Sequence, residues 1–209
     1  MTRKPPSLSD AYALNSPEES RRLYADWAAD YDQSFATAED YILHIHTARA
    51  FQAAHGRGPV LDVGAGTGLC GAVLADLGIG PIDATDISTE MLHRAEAKDI
   101  YRDLIEANLL DGLPVAPGSY AGIVSSGTFT SGHIGPEGFA PLLPVARRGA
   151  VFAISINARH YESAGFARAF QTLMGRIRDL SLTEVPIYGP KATGAHKDDT
   201  ALIAVFRKS

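Results

Sequence analysis

Residues 59–68 read Pro59-Val60-Leu61-Asp62-Val63-Gly64-Ala65-Gly66-Thr67-Gly68, and this stretch decides the fold of the 209-residue chain. Its short apolar run, Val60 to Val63, suits a strand that is buried on both faces of a parallel sheet. Three glycines then follow at every second position, where the backbone turns sharply and approaches a ligand closely. Leu69 to Leu77 have the apolar spacing of a helix. A strand, a glycine turn and a helix in this order predict a nucleotide-sized binding site.

Two classes of nucleotide compete for this site. Gly66 to Gly71 formally satisfies the dinucleotide pattern G-x-G-x-x-G. In that pattern the first glycine leaves the strand directly, whereas Gly64 holds that place here and the match begins two residues late. Asp62 also fits poorly beside a pyrophosphate, because two negative charges repel each other. The carboxylate suits a ligand that carries an amino group and a sulfonium, so we favour that class over a dinucleotide.

The stretch from Asp62 to Gly68 resembles motif I of class I S-adenosylmethionine (SAM)-dependent methyltransferases, with the acid and all three glycines in place. The resemblance implies a Rossmann-like, doubly wound α/β fold with N-terminal helices and a seven-stranded sheet whose last strand is antiparallel. It implies SAM as the cofactor and S-adenosylhomocysteine as its product. The cofactor contacts that it implies here are Asp62, Gly64, Ala65, Gly66 and Gly68.

The first 35 residues are expected to form a loose arm and a lid helix before a SAM-binding core of residues 36–209, within one domain. Ser16-Pro17-Glu18-Glu19 is a helix start, with serine at the N-cap and proline at the first position. The helix carries an apolar stripe made by Leu23, Tyr24, Trp27, Ala28 and Tyr31.

The stripe has two interpretations. Its aromatic side chains could simply pack on the core. Residues 24–32 also resemble the Tyr-Asp-x-Trp-Ala-x-x-Tyr-Asp segment that precedes motif I in many small-molecule methyltransferases. In that family the aromatics help to close the cofactor pocket, which implies cofactor contacts for Tyr24, Trp27 and Tyr31.

The second predicted strand, residues 81–85, ends at Asp86. An acid at this place accepts both ribose hydroxyls in nucleoside-binding sheets, and it suits NAD as well as SAM; a helix-capping aspartate is the alternative. Residues 85–92, with Ser88 as the N-cap candidate, look like the family's Leu-Asp-Ile-Ser-x-x-Met-Leu segment. The cofactor contacts implied by this segment are Asp86, Ile87 and Met91.

The third predicted strand, residues 100–107, ends at Asn108. SAM enzymes usually carry an aspartate there, which accepts from the adenine amino group. Asn108 keeps an acceptor oxygen but adds no charge, so it departs from the family pattern. Leu109 and Ile87 could form apolar walls on the adenine, although core packing explains either side chain equally well.

The fourth predicted strand, residues 120–124, leads into Ser125 to Pro136, which faces the departing methyl group in this fold. The segment lacks the Asn/Asp-Pro-Pro-Tyr/Phe sequence of amino-group nucleic-acid methyltransferases and the Pro-Cys nucleophile of cytosine C5 enzymes. It offers hydroxyls, with Ser125 as a predicted cofactor contact, and His133 as a candidate general base. A structural loop histidine is the alternative for His133, and no catalytic residue is assigned.

A closer resemblance covers about half of the chain, from Val60 to Ile156. With Tyr101-Arg102-Asp103-Leu104 and the Gly127 to Pro136 turn, this part looks like the methyltransferase-like proteins of the Williams–Beuren chromosomal region and their bacterial relatives. That family implies a cofactor but no secure substrate.

The other elements follow from apolar spacing. Helices are predicted over residues 38–55, 138–147 and 162–179, and strands over residues 150–156, 181–188 and 200–206.

Composition limits the function classes. Hydrophobic residues make up 45% and charged residues 21%, as in ordinary globular proteins, and the net charge of −5 argues against a nucleic-acid partner. No apolar run approaches the length of a membrane span, and the single cysteine, Cys70, forms no internal disulfide. We therefore expect a cytoplasmic enzyme with no membrane partner. His44 and His46 lie on different faces of a helix, so no metal site is predicted.

These features predict a SAM-dependent methyltransferase that acts on an unidentified, small-molecule acceptor, as a monomer or a homodimer. An NAD(P)-dependent oxidoreductase is the rival enzyme class; Asp62 and the absence of a Tyr-x-x-x-Lys pair argue against it. A non-catalytic SAM-binding module is the rival outside the enzymes.

Overall fold

The computed structural model describes residues 17–28 and 31–209. Its helices are α1 Pro17–Trp27, α2 Leu43–Ala53, α3 Leu69–Asp76, α4 Thr89–Glu96, α5 Phe139–Val145, α6 Ala158–Ser163 and α7 Phe166–Leu173. Its strands are β1 Val60–Val63, β2 Ile82–Asp86, β3 Asp103–Glu106, β4 Tyr120–Phe129, β5 Ala146–Asn157, β6 Ile177–Pro186 and β7 Thr200–Lys208. The predicted arm and its Ser16 cap lie outside the described residues. None of the described helices combines the length and the apolar character needed to cross a membrane.

The strands form one seven-stranded sheet in the order β3-β2-β1-β4-β5-β7-β6. The pairs from β3 to β5 are parallel, and β7 is antiparallel to both of its neighbours, β5 and β6. The strand order reverses between β1 and β4, and ligands bind at such a switch point beside the carboxyl ends of the strands. The predicted doubly wound fold with an antiparallel last strand is confirmed.

Helices cover both faces of the sheet. On one face, α5 and α7 contribute Phe139, Phe166 and Phe170 to a large apolar cluster. On the other face, α2 and α3 bury Phe51 and Leu74 against β1 and β2. All four residues of β1 are buried, as the apolar run of the sequence predicted, and this fixes the glycine turn at the carboxyl edge of the sheet.

Several element boundaries differ from the predicted ones. The predicted helix over residues 162–179 is broken at Gly165, which adopts a φ of +79° that favours glycine. β4 continues to Phe129 instead of ending at residue 124, because Ser125 and Phe129 pair with β5 across a register shift. Apolar spacing could not reveal this extension, since most of its side chains are hydroxyl groups or glycine.

The predicted lid helix is also shorter than expected. α1 ends at Trp27, and Tyr31 immediately precedes a separate π-helical turn, Asp32–Thr37. The stripe from Leu23 to Tyr31 therefore does not lie on one helix. The helix predicted from residue 38 begins only at Leu43, after Tyr41 forms an isolated bridge with Tyr188.

Candidate functional site

An open cavity lies at the carboxyl ends of β1, β2 and β4. It holds about 1070 Å³ of empty space, its open mouth included. Its walls include His133 and most of the predicted cofactor contacts: Tyr24, Tyr31, Asp62, Gly64, Ala65, Gly66, Asp86, Ile87, Met91, Asn108 and Leu109. The fold thus brings together residues that are up to 109 positions apart in the chain.

Three predicted contacts, Trp27, Gly68 and Ser125, do not line the cavity. The Trp27 side chain is 4% exposed and packs in an apolar cluster with Phe35 and Ile187, as the core-packing interpretation expects. Ser125 is fully buried, and its hydroxyl donates to the Val63 carbonyl oxygen at 2.8 Å. Ser125 and Trp27 therefore lie behind two residues that do line the cavity, Val63 and Tyr31.

Asp62 is the most unusual group of the wall. It is 1% exposed, and its Oδ2 accepts a hydrogen bond from the Tyr101 hydroxyl at 2.8 Å. Its Oδ1 is buried and has no hydrogen-bond partner among the described residues. Burial raises the pKa of Asp62 to about 7, although the bonds from Tyr101 and the Gly71 backbone act in the opposite direction. A carboxylate oxygen in this state suits a cationic hydrogen-bond donor.

Tyr101 reaches Asp62 through space that two glycines leave open. A Cβ on Gly71 would collide with the Tyr101 hydroxyl, and a Cβ on Gly68 would lie 2.9 Å from the Tyr101 ring. The last glycine of the dinucleotide-like match therefore makes room for a tyrosine. The sequence analysis named Tyr101 only as part of a stretch that resembles the family, and it missed this role because Asp62 lies 39 positions away in the chain.

Asp86 is tied to the glycine turn. Its Oδ2 accepts from the Gly66 backbone N–H at 2.8 Å, and its Oδ1 accepts from the Ser88 backbone N–H at 2.9 Å. Burial raises the pKa of Asp86, and these hydrogen bonds partly oppose that rise. Each carboxylate oxygen has a second lone pair, so Asp86 keeps the capacity to accept hydroxyl groups. The predicted N-cap is confirmed, because Ser88 Oγ accepts from the Met91 N–H at 3.3 Å.

The side-chain amide of Asn108 forms hydrogen bonds with residues that follow it closely in the chain. Its Oδ1 accepts from the Leu110 backbone N–H at 3.2 Å, and its Nδ2 donates to Asp111 at 2.9 Å. Asn108 thereby caps the short 3-10 turn Leu109–Asp111. The family's aspartate could not make the second bond without a proton, so the departure at this position has a local structural reason.

Two further polar atoms of the wall were not anticipated. Thr85 Oγ1 and His44 Nδ1 are buried and without a partner in the described part of the chain. Both residues line the cavity. Burial lowers the pKa of His44 to about 4, so this side chain is neutral near pH 7. The sequence analysis had treated His44 only as an ordinary helix residue.

Asp32 links the turn after Tyr31 to the glycine turn through hydrogen bonds. Its Oδ1 accepts from the Thr67 hydroxyl at 2.5 Å, and its Oδ2 accepts from Lys98 Nζ at 2.8 Å. Lys98 also donates to the Thr67 carbonyl oxygen at 2.7 Å. Asp32 belongs to the segment that resembled the family, but no role was predicted for it.

His133 bridges the wall to α1. Its Nδ1 lies 3.2 Å from the Ser131 carbonyl oxygen and its Nε2 lies 2.9 Å from the Tyr24 hydroxyl. A carbonyl oxygen only accepts, so Nδ1 carries the proton and Nε2 accepts from Tyr24. Burial lowers the pKa of His133, which keeps the ring neutral.

A second cavity adjoins the first and holds about 530 Å³ of empty space, its mouth included. The two cavities share Tyr24, Tyr31, Tyr41, Gly127 and His133. The other residues of the second cavity are Phe35, Leu43, Phe129, Thr130, Ser155, Asn157, Ile187 and Tyr188. Among its described lining residues there is no Asp, Glu, Lys or Arg.

Comparison with known proteins gives consistent matches. Residues 60–149 match a family model described as a methyltransferase domain. Methyltransferase-like protein 27 of Homo sapiens is 25% identical over 178 residues, which cover 83% of this chain and 72% of the relative.

Solved structures share the fold. A 1,6-didemethyltoxoflavin-N1-methyltransferase from Burkholderia thailandensis, with bound S-adenosylhomocysteine, has a TM-score of 0.64 and 17% identity over 94% of this chain and 92% of its own. The [4+2]-cyclase SpnF has a TM-score of 0.70 and 10% identity over 93% of this chain and 97% of its own. At these identities the likeness establishes the fold and no more.

Proposed function

We propose that this chain, a class I SAM-dependent methyltransferase, transfers the methyl group of SAM to a small-molecule acceptor. The methyltransferase-domain match and the Homo sapiens relative confirm the resemblance predicted from the glycine turn. One observation carries the proposed cofactor site: Asp62 lines the cavity, and its buried Oδ1 has no hydrogen-bond partner among the described residues. The amino group of SAM is a cationic donor of the kind that this oxygen lacks.

The other wall residues fit the remaining parts of SAM. Asp86 would accept from the ribose hydroxyls through its remaining lone pairs. A Cβ on Gly66 would meet no atom within 4 Å, so this glycine faces open space where a ligand can approach the backbone. Ile87 and Leu109 would flank the adenine as apolar walls. SAM supplies an activated methyl group on a sulfonium, so the protein mainly has to align the two reactants and exclude water.

His133 is the candidate for proton transfer at the junction of the two cavities. It is neutral, so its Nε2 can accept a proton, and this nitrogen lies 2.9 Å from the hydroxyl of Tyr24, which lines the same cavity. A proton from an acceptor hydroxyl or amine would therefore pass to Tyr24 while the Tyr24 proton passes to Nε2. An acceptor that loses its proton to solvent would not need this pair.

The small-molecule acceptor is supported by the second cavity, whose described lining residues offer no cationic side chain for a phosphate backbone. A cytoplasmic location is part of the same proposal, based on the single buried Cys70. Binding of a dinucleotide is disfavoured for two reasons. Asp62 would face the pyrophosphate, and Gly71 leaves the space that the Tyr101 hydroxyl occupies.

The proposal is tested with SAM that carries tritium in its methyl group. The protein is incubated with this SAM and a low-molecular-mass cell extract, and in parallel with RNA, DNA and protein fractions. We expect label in the low-molecular-mass fraction, and strongly reduced label with Asp62→Asn. Tight SAM binding without label in any fraction would instead identify a non-catalytic SAM-binding module. Label in the nucleic-acid fraction would contradict the proposed acceptor class.

A further inference from the structure

We propose that the second cavity binds the methyl acceptor, and that this acceptor is an uncharged, planar aromatic or heteroaromatic molecule with a ring carbonyl or ring nitrogen directed at β5. This inference rests on the proposed function, since it places the acceptor next to the SAM cavity. The five residues shared by the two cavities place them side by side, as transfer from one ligand to another requires.

The lining of the second cavity argues for an uncharged acceptor. Its described residues include no carboxylate and no basic side chain apart from His133. Burial lowers the pKa of His133 and raises the pKa of Tyr31 well above its ordinary value, so both groups are neutral near pH 7. A charged acceptor would lose its hydration without gaining a counter-ion from the wall, which is costly. A cation would also be repelled by the sulfonium that the proposed function places beside it.

Aromatic rings form most of the wall. The lining contains Tyr24, Tyr31, Phe35, Tyr41, Phe129 and Tyr188. Phe35 lies at the centre of this group, with ring centroids 5.0 Å from Tyr31, 5.3 Å from Tyr41 and 6.4 Å from Tyr188. Tilted and edge-on rings at these distances favour a further ring in an offset or T-shaped position. The cavity therefore favours a planar aromatic acceptor over a flexible polar one.

Two hydrogen-bond donors on β5 would set the orientation of the bound methyl acceptor. Ser155 and Asn157 are two positions apart, so their side chains lie on the same face of the strand, about 7 Å apart. They are 1% and 8% exposed, and both line the cavity.

Each of these side chains uses its acceptor oxygen and keeps a donor. Ser155 Oγ accepts from the Gly127 N–H at 3.0 Å, and Asn157 Oδ1 accepts from the His160 N–H at 3.2 Å. The Ser155 hydroxyl proton and the Asn157 amide protons have no acceptor within residues 17–28 and 31–209. Donors on a cavity wall are matched by acceptor atoms of a ligand, which a ring carbonyl or a ring nitrogen supplies.

Asn157→Asp tests the orientation without removing the helix cap. Asn157 is the N-cap of α6, and aspartate caps a helix equally well. The substitution therefore keeps the oxygen that binds the His160 N–H and replaces the free donor by a second acceptor. Gln171→Glu is the matched control, because it makes the same amide-to-carboxylate change on an exposed position of α7.

The experiment is isothermal titration calorimetry with the full chain saturated with S-adenosylhomocysteine. The probes are isoquinolin-1-one, which is neutral and has a ring carbonyl, 2-naphthoate, an anion, and 1-naphthylmethylamine, a cation. We expect isoquinolin-1-one to bind more tightly than both charged probes. Asn157→Asp should weaken it at least ten-fold with little change in S-adenosylhomocysteine affinity, and Gln171→Glu should leave both affinities unchanged.

The outcomes separate this inference from the proposed function. Normal S-adenosylhomocysteine binding with no preference for isoquinolin-1-one would overturn the inference and leave the cofactor site intact. The same holds if Asn157→Asp binds isoquinolin-1-one as the wild type does. Failure of S-adenosylhomocysteine to bind would overturn both.

Discussion

Asp62→Asn should stabilise the ligand-free protein and weaken cofactor binding at the same time. Asparagine is nearly isosteric, and its Oδ1 can still accept from the Tyr101 hydroxyl. It removes the cost of a buried charge, and it places an amide nitrogen where the wild type has a carboxylate oxygen with no partner among the described residues. These opposite effects distinguish a binding carboxylate from a merely structural one.

The stability effect depends on pH. The folded-state pKa of Asp62 is about 7, against an ordinary value of 3.8, so between these values the folded protein binds more protons than the unfolded chain does. The contribution that the raised pKa of Asp62 makes to the free energy of unfolding is fully present below pH 3.8. It is lost as the pH rises from there through about 7. Asparagine does not titrate. The advantage of Asp62→Asn over wild type should therefore grow by about 2.6 kcal/mol between pH 5 and pH 8, which is about 5–10 °C in melting temperature.

The binding effect has the opposite sign. Loss of a hydrogen bond to a charged group costs about 1.5–3 kcal/mol, so S-adenosylhomocysteine should bind Asp62→Asn about 10- to 150-fold more weakly. Wild-type affinity should rise with pH through about 7, because only the ionised carboxylate attracts an ammonium group. The affinity of the variant should lack this rise.

Thermal unfolding without ligand and calorimetric titration with S-adenosylhomocysteine, each at pH 5, 6.5 and 8, measure both effects. Asp76→Asn is the control, because it makes the same charge change at an exposed position and should behave as wild type throughout. Wild-type affinity in Asp62→Asn, or a stability gain that does not change with pH, would refute the reasoning.

Three further substitutions test other parts of the site. Asp86→Ala should weaken S-adenosylhomocysteine by roughly 1–3 kcal/mol in a calorimetric titration, and an unchanged affinity would exclude Asp86 from the ribose contact. Gly71→Ala should lower the free energy of unfolding by about 1–3 kcal/mol in urea, because its Cβ displaces Tyr101; full stability would mean that the ring has other space. Asp32→Asn breaks the ion pair to Lys98, which is partly exposed and worth at most about 1 kcal/mol. Limited proteolysis should then cut residues 17–37 faster, and S-adenosylhomocysteine should protect them less than in wild type.

Local patterns made part of the site predictable. β1 and the glycine turn follow each other in ten residues, and Asp86 ends the next strand, so a parallel sheet brings Asp62 and Asp86 to one edge. Ser88 was predictable as an N-cap because capping depends only on neighbouring residues.

The rest depends on contacts between distant segments. Tyr101 meets Gly71 and Asp62 only after β3 has paired with β2. Ser155 and Asn157 acquire a role only because β5 lies beside the extension of β4. Ser125 carries a hydroxyl group of the kind that binds ligands. Only the fold turns this hydroxyl towards the Val63 carbonyl oxygen.

The most direct test of the central claim is thermal unfolding with SAM, S-adenosylhomocysteine and NAD⁺ side by side. A ligand at a hundred times its dissociation constant adds about 2.7 kcal/mol, which corresponds to roughly 5–11 °C in a domain of this size. We predict shifts of this order with SAM and S-adenosylhomocysteine and none with NAD⁺. A shift with NAD⁺ alone would contradict the assignment of the glycine turn, of Asp62 and of the methyl transfer itself.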